Sequence, residues 1–231
     1  METKKQMPQF EIITFDCYGT LIDWENGITN AFQKEASRDG KTFTKEEVIA
    51  AHIAIEPQVQ AEFYQLYSNI LAEVAQRMAK NLDWELSEER ARFLADSLPS
   101  WQPFSDTNAA LEKLAKRYQL GILSNIDDEL FGKTRKHFSV NFQLVITAEQ
   151  VHSYKPNLKH FFVARDRRGK KTGWLHAAQS YFHDIVPTNS LDIPSVWVNR
   201  KNEKANEGGP FPTYQVSNLT QLADLLEQVD Q

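Results

Sequence analysis

The sequence predicts an α/β fold, a Rossmann-like doubly wound parallel sheet with a helical cap inserted after its first strand. After residue 102, short apolar segments alternate with amphipathic segments, which is the pattern of parallel strands joined by crossover helices. Residues 25–98 instead have apolar residues at helical spacing and no convincing strand. One strand-like segment precedes this region, and we expect it to join the later strands in a single sheet.

The elements of the sheet follow in chain order, each strand with a helix after it. The predicted strands cover residues 11–16, 118–124, 142–147, 173–178 and 194–199. The predicted helices of the same part of the chain cover residues 106–117, 127–137, 157–166, 184–191 and 218–229. This alternation predicts that the later strands run parallel to one another.

The inserted region has helical signals of its own. Thr44, with Glu47 three residues later, is a capping-box start of a helix. A stripe of apolar side chains at steps of three and four predicts a further helix near residues 60–79 with a buried face. The stripe consists of Phe63, Tyr67, Ile70, Val74 and Met78. We interpret it as core, and the alternative is burial between two copies of the chain in a homodimer.

Two prolines in residues 98–104 indicate the return from the insertion to the sheet. We therefore divide the chain into a core domain, residues 1–22 and 102–231, and a helical cap domain, residues 23–101. Ligands of open α/β sheets bind beyond the carboxyl ends of the strands, and an insertion at this point lies over that edge. The cap is thus placed to act as a lid.

Composition and charge disfavour several classes of protein. The net charge of −5 argues against a general nucleic-acid binder, since affinity for a phosphate backbone comes from clustered Lys and Arg. Cys17 is the one cysteine of the chain, so a reducing compartment is expected. The sequence shows neither the apolar region of a signal peptide nor the roughly 18 apolar residues of a membrane span. We expect a cytoplasmic protein that binds neither nucleic acid nor a membrane.

Polar side chains gather just after the carboxyl ends of the predicted strands, which converge on one crevice in a doubly wound sheet. In chain order they are Asp16, Tyr18, Thr20, Ser124, Asn125, Lys155, Gln179, Ser180, His183 and Asp184. Each signal alone has an ordinary explanation, such as a helix N-cap for a Ser-Asn pair. Together, a carboxylate near a lysine with hydroxyl and amide donors around them is typical of an ionised nucleophile beside a bound anion.

Four segments carry a resemblance to a known family. They read "FDCYGTLID", "LSN", "YKP" and "HAAQSYFHD" from the amino to the carboxyl end. In this order and at these separations they resemble the four motifs of the haloacid dehalogenase superfamily, over nearly the whole chain. The resemblance implies the core fold of that superfamily with a helical cap, and a hydrolase that acts on a small anionic molecule.

The residue two positions after Asp16 distinguishes branches of the superfamily. Its phosphatases have a second aspartate there, which protonates the leaving group and activates water, whereas this chain has Tyr18. A phenol with an unperturbed pKa of about 10 is a poor proton shuttle at neutral pH. The 2-haloacid dehalogenases also have tyrosine here, and the departure of chloride or bromide requires no proton. The resemblance therefore favours a 2-haloacid dehalogenase.

This resemblance implies catalytic roles in two chemical steps. Asp16 attacks the α-carbon of a small 2-haloacid and forms an ester, while Lys155 stabilises the ionised carboxylate and Thr20 orients it by a hydrogen bond. Water then hydrolyses the ester, with Asp184 as the candidate base. His183 is the rival base, because an imidazole titrates near neutral pH.

The remaining site residues are predicted to bind substrate. Ser124 and Asn125 hold the substrate carboxylate together with backbone amides, and Tyr18 and Ser180 belong to the same pocket. Characterised dehalogenases of this branch also cradle the departing halide with an arginine early in the second cap helix, which this chain lacks. His52 is the nearest polar candidate in that region. The missing arginine leaves open a different leaving group, a different substrate or no dehalogenation at all.

No cofactor is predicted. Phosphatases of the superfamily hold magnesium with two acids of the fourth motif, whereas this chain has Gln179 at the first acid position and keeps Asp184. Losing a carboxylate lowers the affinity for magnesium without excluding it, and if magnesium is bound, Asp16 and Asp184 are its ligands. Two alternatives therefore stand beside the dehalogenase: a magnesium-dependent, phosphatase-like hydrolase of a small phosphate ester, and a binding protein that has lost turnover.

Three other side chains receive structural interpretations. Alternation along the first strand points Cys17 away from Asp16, so a reactive thiol is not expected. His176 lies in a predicted strand and His152 in the approach to the lysine motif, and both are interpreted as structural residues.

Overall fold

A computed structural model describes residues 10–169, 173–205 and 208–229, and within them one sheet of six parallel strands. The strands are β1 (Ile12–Phe15), β2 (Gln119–Ser124), β3 (Leu144–Thr147), β4 (Trp174–Ala178), β5 (Ser195–Val198) and β6 (Tyr214–Val216). Their order across the sheet is β3-β2-β1-β4-β5-β6. The chain therefore extends the sheet on one side of β1 and then on the other, which confirms the predicted doubly wound fold.

The helices fall into two groups. They are α1 (Trp24–Ser37), α2 (Lys45–Glu62), α3 (Tyr67–Asn81), α4 (Phe93–Ser97), α5 (Thr107–Ala115), α6 (Asp128–Thr134), α7 (Ala148–Val151), α8 (Lys159–Arg167), α9 (Val186–Ser190) and α10 (Leu219–Val229). The first four lie within the predicted helical insertion after β1, and the others, beginning with α5 just before β2, belong to the sheet half. Across the described residues, no helix combines the length and the apolar character needed to cross a membrane.

Strand β1 explains why the polar residues meet where they do. It pairs with β2 on one side and with β4 on the other, so it borders the point where the strand order reverses. Open α/β sheets form their ligand crevice at this point, beyond the carboxyl ends of the strands. Asp16 is the first residue after β1 and therefore projects from the sheet at the crevice.

Both faces of the sheet are covered by apolar clusters, which explains why the central strands are apolar throughout. Ile13, Phe15 and Cys17 belong to a large cluster that continues into the inserted helices. Ile12 belongs to a smaller cluster on the opposite face, where Phe161 of α8 packs. The burial of Cys17 in the first cluster confirms that its thiol is a core group, and burial raises its pKa well above the usual value.

The five predicted strands correspond to β1 through β5. β6 was not predicted, because a three-residue edge strand with a single buried residue has too little alternation to be recognised. α7 was missed for the same reason, since four residues make barely one helical turn.

The prediction of one helix near residues 60–79 is wrong. α2 ends at Glu62 and α3 begins only at Tyr67, so Phe63 lies between the helices and its side chain is 64% exposed. The break has a tertiary cause: the carboxylate of Asp127, beyond β2, accepts hydrogen bonds from the backbone N–H groups of Tyr67 (2.6 Å) and Ser68 (2.8 Å). A new helix therefore begins at that acceptor. The later members of the stripe, Ile70, Val74 and Met78, are buried as predicted.

The inserted helices leave and rejoin the sheet half side by side. The Asp23 N–H donates to the Gln102 carbonyl (2.9 Å), and the Phe104 N–H donates to the Leu21 carbonyl (3.1 Å). The predicted domain boundaries, at 22/23 and 101/102, stay a prediction. Residues 1–9, 170–172, 206–207 and 230–231 of the predicted core domain lie outside the described residues.

Candidate active site

A cleft of about 500 Å³ opens at the carboxyl edge of the sheet, against the inserted helices. The sheet half contributes Asp16, Tyr18, Ser124, Asn125, Lys155, Gln179, Ser180, His183 and Asp184 to its lining. The helical half contributes side chains of α1 and α2, among them Trp24, Ile28, His52 and Glu56. The structure thus brings together the predicted site residues, with Thr20 buried directly against Asp16.

Lys155 is the centre of the site. Its side chain is 1% exposed, and the ammonium donates to Asp16 Oδ1 (2.9 Å), Asp184 Oδ1 (2.6 Å) and the Leu123 carbonyl (2.9 Å). All three N–H bonds of the ammonium are therefore used within the protein. Burial opposes the charged form of Lys155, but the two carboxylates outweigh it and raise its pKa above the usual 10.5.

Asn125 holds the backbone of the lysine segment. Its Oδ1 accepts from the Lys155 N–H (2.7 Å), and its Nδ2 donates to the Lys155 carbonyl (3.1 Å). Both ends of the amide are thereby engaged in positioning Lys155. Its predicted role in holding the substrate carboxylate stays a prediction, with one N–H of the amide left for it.

Asp16 is held at both carboxylate oxygens. Oδ1 accepts from Lys155, and Oδ2 accepts from the hydroxyl of Thr20 (2.8 Å), which in turn accepts from the Gln179 N–H (2.9 Å). Burial raises the pKa of Asp16 above 3.8, and the Asp184 charge adds to the rise, while Lys155 and Thr20 favour ionisation. The side chain is therefore oriented before any substrate binds, and its ionised form is poorly solvated.

Asp184 differs from Asp16 in its surroundings. It is fully buried, and its Oδ1 accepts from both Lys155 and His176 Nε2 (2.9 Å). Burial opposes its ionisation, but the charge of Lys155 and the hydrogen bond from His176 prevail and lower its pKa to about 2. Its Oδ2 is buried and has no hydrogen-bond partner among the described residues. Asp184 is thus an ionised carboxylate with one unbonded oxygen.

His176 was interpreted from the sequence as a structural residue, and the structure places it in direct contact with the site. It lies in β4, is fully buried, and joins Asp184 to Thr14 of β1, whose Oγ1 lies 2.8 Å from His176 Nδ1. The sequence signal that could have identified this contact is one polar residue, Thr14 or His176, within each of two otherwise apolar strands. His152, in contrast, is exposed at the end of α7 and touches the ring of Tyr64.

Tyr18 lines the cleft as predicted. Its hydroxyl lies 2.9 Å from Thr134 Oγ1, and its ring packs edge-on against Trp101. Burial raises the pKa of Tyr18 well above 10, so the phenol stays protonated near neutral pH. Ser124 also lines the cleft, and its carbonyl lies 3.2 Å from His160 Nε2.

Ser180 and His183 form one local unit at the start of the turn after β4. The Ser180 hydroxyl accepts from the His183 N–H (3.1 Å) and lies 3.0 Å from His183 Nδ1. Burial lowers the pKa of His183 below 6.5, so the neutral imidazole prevails at neutral pH. Both side chains border the cleft next to Asp184.

His52 is one of the polar side chains that α2 presents to the cleft. It is 3% exposed, stacks at a tilt on Trp24 with 5.1 Å between ring centroids, and neither ring nitrogen has a hydrogen-bond partner among the described residues. Glu56 Oε2 lies 3.9 Å from Nε2, which is too long for a hydrogen bond. Burial lowers the pKa of His52 below 6.5, so a neutral imidazole faces the cleft.

The arginines nearest to His52 in the sequence serve elsewhere. Arg38 pairs with Glu35 (2.8 Å), and Arg77 pairs with Glu62 and Glu73 (2.7 Å each). The described part of the chain contributes no arginine to the lining of the cleft. Among the described residues, α1 and α2 therefore give the cleft one charged side chain, the carboxylate of Glu56, and no cation.

Two lysines at the rim were not recognised in the sequence. Lys201 and Lys204 follow β5 and line the cleft, and Lys201 pairs with Glu25 and lies 5.7 Å from the ring centre of Trp24. They belong to a loop with no motif, so only their place in the fold relates them to the site. Glu203 of the same loop also lines the cleft, so the rim has side chains of both charges.

A magnesium ion is implied by the phosphatases of this fold, and the side chains here fit one poorly. Two carboxylates face each other, but an ammonium lies between them and occupies an oxygen of each. The first acid position of the fourth motif is an amide, Gln179. Across the described ranges, no three His, Cys, Asp or Glu side chains gather as ligands. Oxygen-rich magnesium sites rely on carboxylates that are free to bind.

The chain is similar in sequence to known hydrolases. The family model of haloacid dehalogenase-like hydrolases matches residues 13–174. The (S)-2-haloacid dehalogenase H-109 of Pseudomonas putida is 25% identical over 232 residues, which cover 95% of this chain and 99% of the relative. The sequence match and the polar residues after the carboxyl ends of the strands thus indicate the same family, the haloacid dehalogenase-like hydrolases.

Two solved structures show how widely the fold is used. An L-2-haloacid dehalogenase of Xanthobacter autotrophicus with chloropropionic acid covalently bound superposes with a TM-score of 0.82, at 16% identity, covering 95% of this chain and 99% of that one. A HAD-hydrolase of Bacillus subtilis bound to magnesium superposes with a TM-score of 0.81, at 16% identity, covering 95% of this chain and 100% of that one. Because one fold is common to both, the side chains of the cleft have to distinguish between their functions.

Proposed function

Because the chain belongs to the haloacid dehalogenase-like hydrolase family, we propose that it hydrolyses the carbon–halogen bond of small 2-haloacids, of the haloacetate and 2-halopropionate type, through an ester of Asp16. The observation that carries the proposal is the buried contact of one ammonium, Lys155, with both Asp16 and Asp184. Tyr18 supports it, because a phosphatase needs an acid at that position.

In the first step a carboxylate oxygen of Asp16 attacks the α-carbon of the substrate. A carbon–oxygen bond forms, the carbon–halogen bond breaks, and the halide leaves with the bonding electron pair. Lys155 and Thr20 hold the carboxylate of Asp16 in place before substrate arrives. The carboxylate therefore loses little rotational entropy when it attacks. The low solvation that raises the pKa of Asp16 also leaves its ionised oxygen more reactive.

In the second step water attacks the carboxyl carbon of the ester. The bond between that carbon and the alkoxy oxygen breaks, the 2-hydroxyacid leaves, and Asp16 retains one oxygen from the water. One proton of the water goes to the departing alkoxide and the other to a base, from which it reaches solvent. Asp184 is the proposed base because it is ionised and its Oδ2 is unbonded. His183 is the rival, since its neutral imidazole borders the same space.

The substrate is proposed to lie with its carboxylate toward the sheet and its halogen toward the helices. Ser124 lines the cleft on the sheet side, and Lys201 and Lys204 are cations at its rim that a substrate carboxylate can approach. His52 offers a neutral N–H to the leaving halide, beside Tyr18 and Trp24. This pocket replaces the charge of an arginine with a weaker donor, so we expect slower departure of halide than a guanidinium permits.

The test is release of halide from chloro-, bromo- and fluoroacetate and from both enantiomers of 2-chloropropionate, each with and without EDTA. We expect release that survives EDTA and disappears in Asp16→Asn. Turnover in heavy-oxygen water should place label in the peptide that contains Asp16. Unlabelled protein after many turnovers would contradict the ester.

The same assays decide between the alternatives. Hydrolysis of small phosphate esters that depends on added magnesium, without halide release, would replace the proposal with a phosphatase-like reaction. Haloacid binding without product would indicate a protein that has lost turnover.

A further inference from the structure

A line of hydrogen bonds runs from the inside of the sheet to Asp184. Trp174 Nε1 donates to Thr14 Oγ1 (2.8 Å), Thr14 Oγ1 lies 2.8 Å from His176 Nδ1, and His176 Nε2 lies 2.9 Å from Asp184 Oδ1. Trp174 is 4% exposed and the other three residues are fully buried. Thr14 and His176 are paired across neighbouring strands β1 and β4. The line therefore lies in the buried centre of the sheet.

The proton on each atom of this line follows from its neighbours. Ionised Asp184 can only accept, so His176 Nε2 must donate. The indole of Trp174 can only donate, so Thr14 Oγ1 accepts from it and has its own hydroxyl proton left for His176 Nδ1. A neutral imidazole protonated at Nε2 satisfies every member of the line. The ring of Phe161 packs edge-on against the imidazole at 5.3 Å and holds its plane.

We propose that His176 is a positioning residue for hydrolysis of the ester. His176 and Lys155 donate to the same oxygen of Asp184, and this shared contact determines the rotation of the carboxylate. Oδ2 is then the only oxygen of Asp184 able to take a proton from the attacking water. The inference rests on the proposed function, with Asp184 as the base of the second step.

The role predicts an effect on one step alone. The side chain of Asp16 is hydrogen bonded to Lys155 and Thr20, and the described structure shows no hydrogen bond between it and His176. Loss of the Nε2 donor should therefore leave formation of the ester intact and slow its hydrolysis, on the order of 10- to 100-fold for one hydrogen bond to a charged group. The ester should then accumulate on the enzyme.

Three substitutions of His176 separate the donor from the bulk of the ring. His176→Phe keeps an aromatic ring and removes both nitrogens. His176→Gln places an amide N–H near the position of Nε2, whereas His176→Asn places it near Nδ1. The expected result is accumulation of ester in the Phe and Asn variants and near-normal hydrolysis in the Gln variant.

The measurement is rapid quenching of a single turnover of 2-chloropropionate, with the halide released and the intact mass of the protein followed in time. A normal first burst of halide together with a persistent adduct on the Asp16 peptide in Phe and Asn, but not in Gln, supports the role. Equal slowing of the burst and of adduct decay, or identical behaviour of all three variants, overturns it. Where His176→Phe fails to fold, His176→Asn and His176→Gln carry the test, because the two variants differ in the position of the amide N–H: only Asn should lengthen adduct decay, without changing the burst.

The unaltered enzyme and Asp184→Asn distinguish the inference from its premise. If the unaltered enzyme releases no halide, the proposed function itself is wrong. If Asp184→Asn hydrolyses the ester normally, dehalogenation stands and the role of His176 through Asp184 is refuted.

Discussion

The two walls of the cleft differ in how their buried polar groups are hydrogen bonded. On the sheet side, the three N–H bonds of Lys155 are all used and each oxygen of Asp16 has a donor. On the helical side, His52 is equally buried, yet neither of its ring nitrogens is bonded within the described structure. The fold therefore supplies hydrogen-bond partners for Lys155 and Asp16, with Oδ2 of Asp184 left open, whereas the imidazole of His52 is left for a ligand to bond.

This contrast separates chemistry from recognition. Charges in a buried site are costly unless they are paired and bonded, so a nucleophile has to be held by the fold. An unbonded neutral imidazole costs about 1–3 kcal/mol, which a bound ligand can recover. We therefore expect changes on the sheet side to affect reaction and stability together, and changes on the helical side to affect substrate use alone.

The largest expected effect is that of Asp16→Asn. Loss of the nucleophile should reduce halide release by about 10⁴-fold or more. The same change should raise the melting temperature at neutral pH. The pKa of Asp16 is higher in the folded state than its usual 3.8, so its ionisation weakens the fold as pH rises above that value, and asparagine removes this cost.

Asp184→Asn is the matched control and has the opposite sign. The folded-state pKa of Asp184, about 2, contributes stability that is present above pH 3.8 and disappears as pH falls toward 2. The variant should lose on the order of 2 kcal/mol at neutral pH in denaturant unfolding. If Asp16→Asn and Asp184→Asn both stabilised the protein, the pKa values of the two carboxylates would not be shifted in opposite directions.

Lys155→Met should produce the largest loss of stability. It leaves two buried carboxylates without their common cation, and breaking a buried pair from one side costs about 3–5 kcal/mol. Chemical denaturation at pH 7 measures the loss, with the exposed Lys159→Met of α8 as control. The deficit should shrink toward acid pH, where the carboxylates become protonated. A loss that is independent of pH would contradict an electrostatic origin.

On the helical wall, His52→Phe should lower kcat/KM for haloacids about 10-fold, because the halide loses a hydrogen-bond donor. Stability should be unchanged or slightly higher, since two unbonded nitrogens are removed from a buried position. Steady-state kinetics and thermal melting measure the two effects. Gln58→Ala, on the same helix and outside the cleft lining, should change neither. If the His52→Phe variant were fully active but less stable, His52 would have a structural role and no role in substrate use.

The smallest effect at neutral pH is expected for Thr20→Val. The Thr20 hydroxyl favours the ionised form of Asp16, so its loss should raise the pKa of Asp16 further. The acid limb of the pH profile of kcat/KM, which requires ionised Asp16, should move to higher pH. Thr29→Val is the control, because its buried hydroxyl has no partner among the described residues. An unmoved acid limb would show that the hydrogen bond does not act on the nucleophile.

Local patterns were sufficient for the sheet and for its charged residues. The strand before Asp16, the lysine segment and the acid after β4 are each recognisable within about ten residues, because strand propensity and turn chemistry act over that range. The same reasoning failed at residues 63–66. There an acceptor on Asp127, far along the chain, interrupts a stripe that locally predicts one continuous helix.

By itself, then, the sequence determined the fold class, the helical insertion after the first strand and the grouping of Asp16 with Lys155 and Asp184. The tertiary structure alone decided which partner each polar atom meets. Thr14 and His176 are 162 residues apart in the chain, and their side chains are hydrogen bonded. His176 also contacts Asp184, so a histidine that the sequence had led us to interpret as structural belongs to the site. The physical reason is that hydrogen bonds and burial depend on distances between strands and helices, and no local pattern of residues contains those distances.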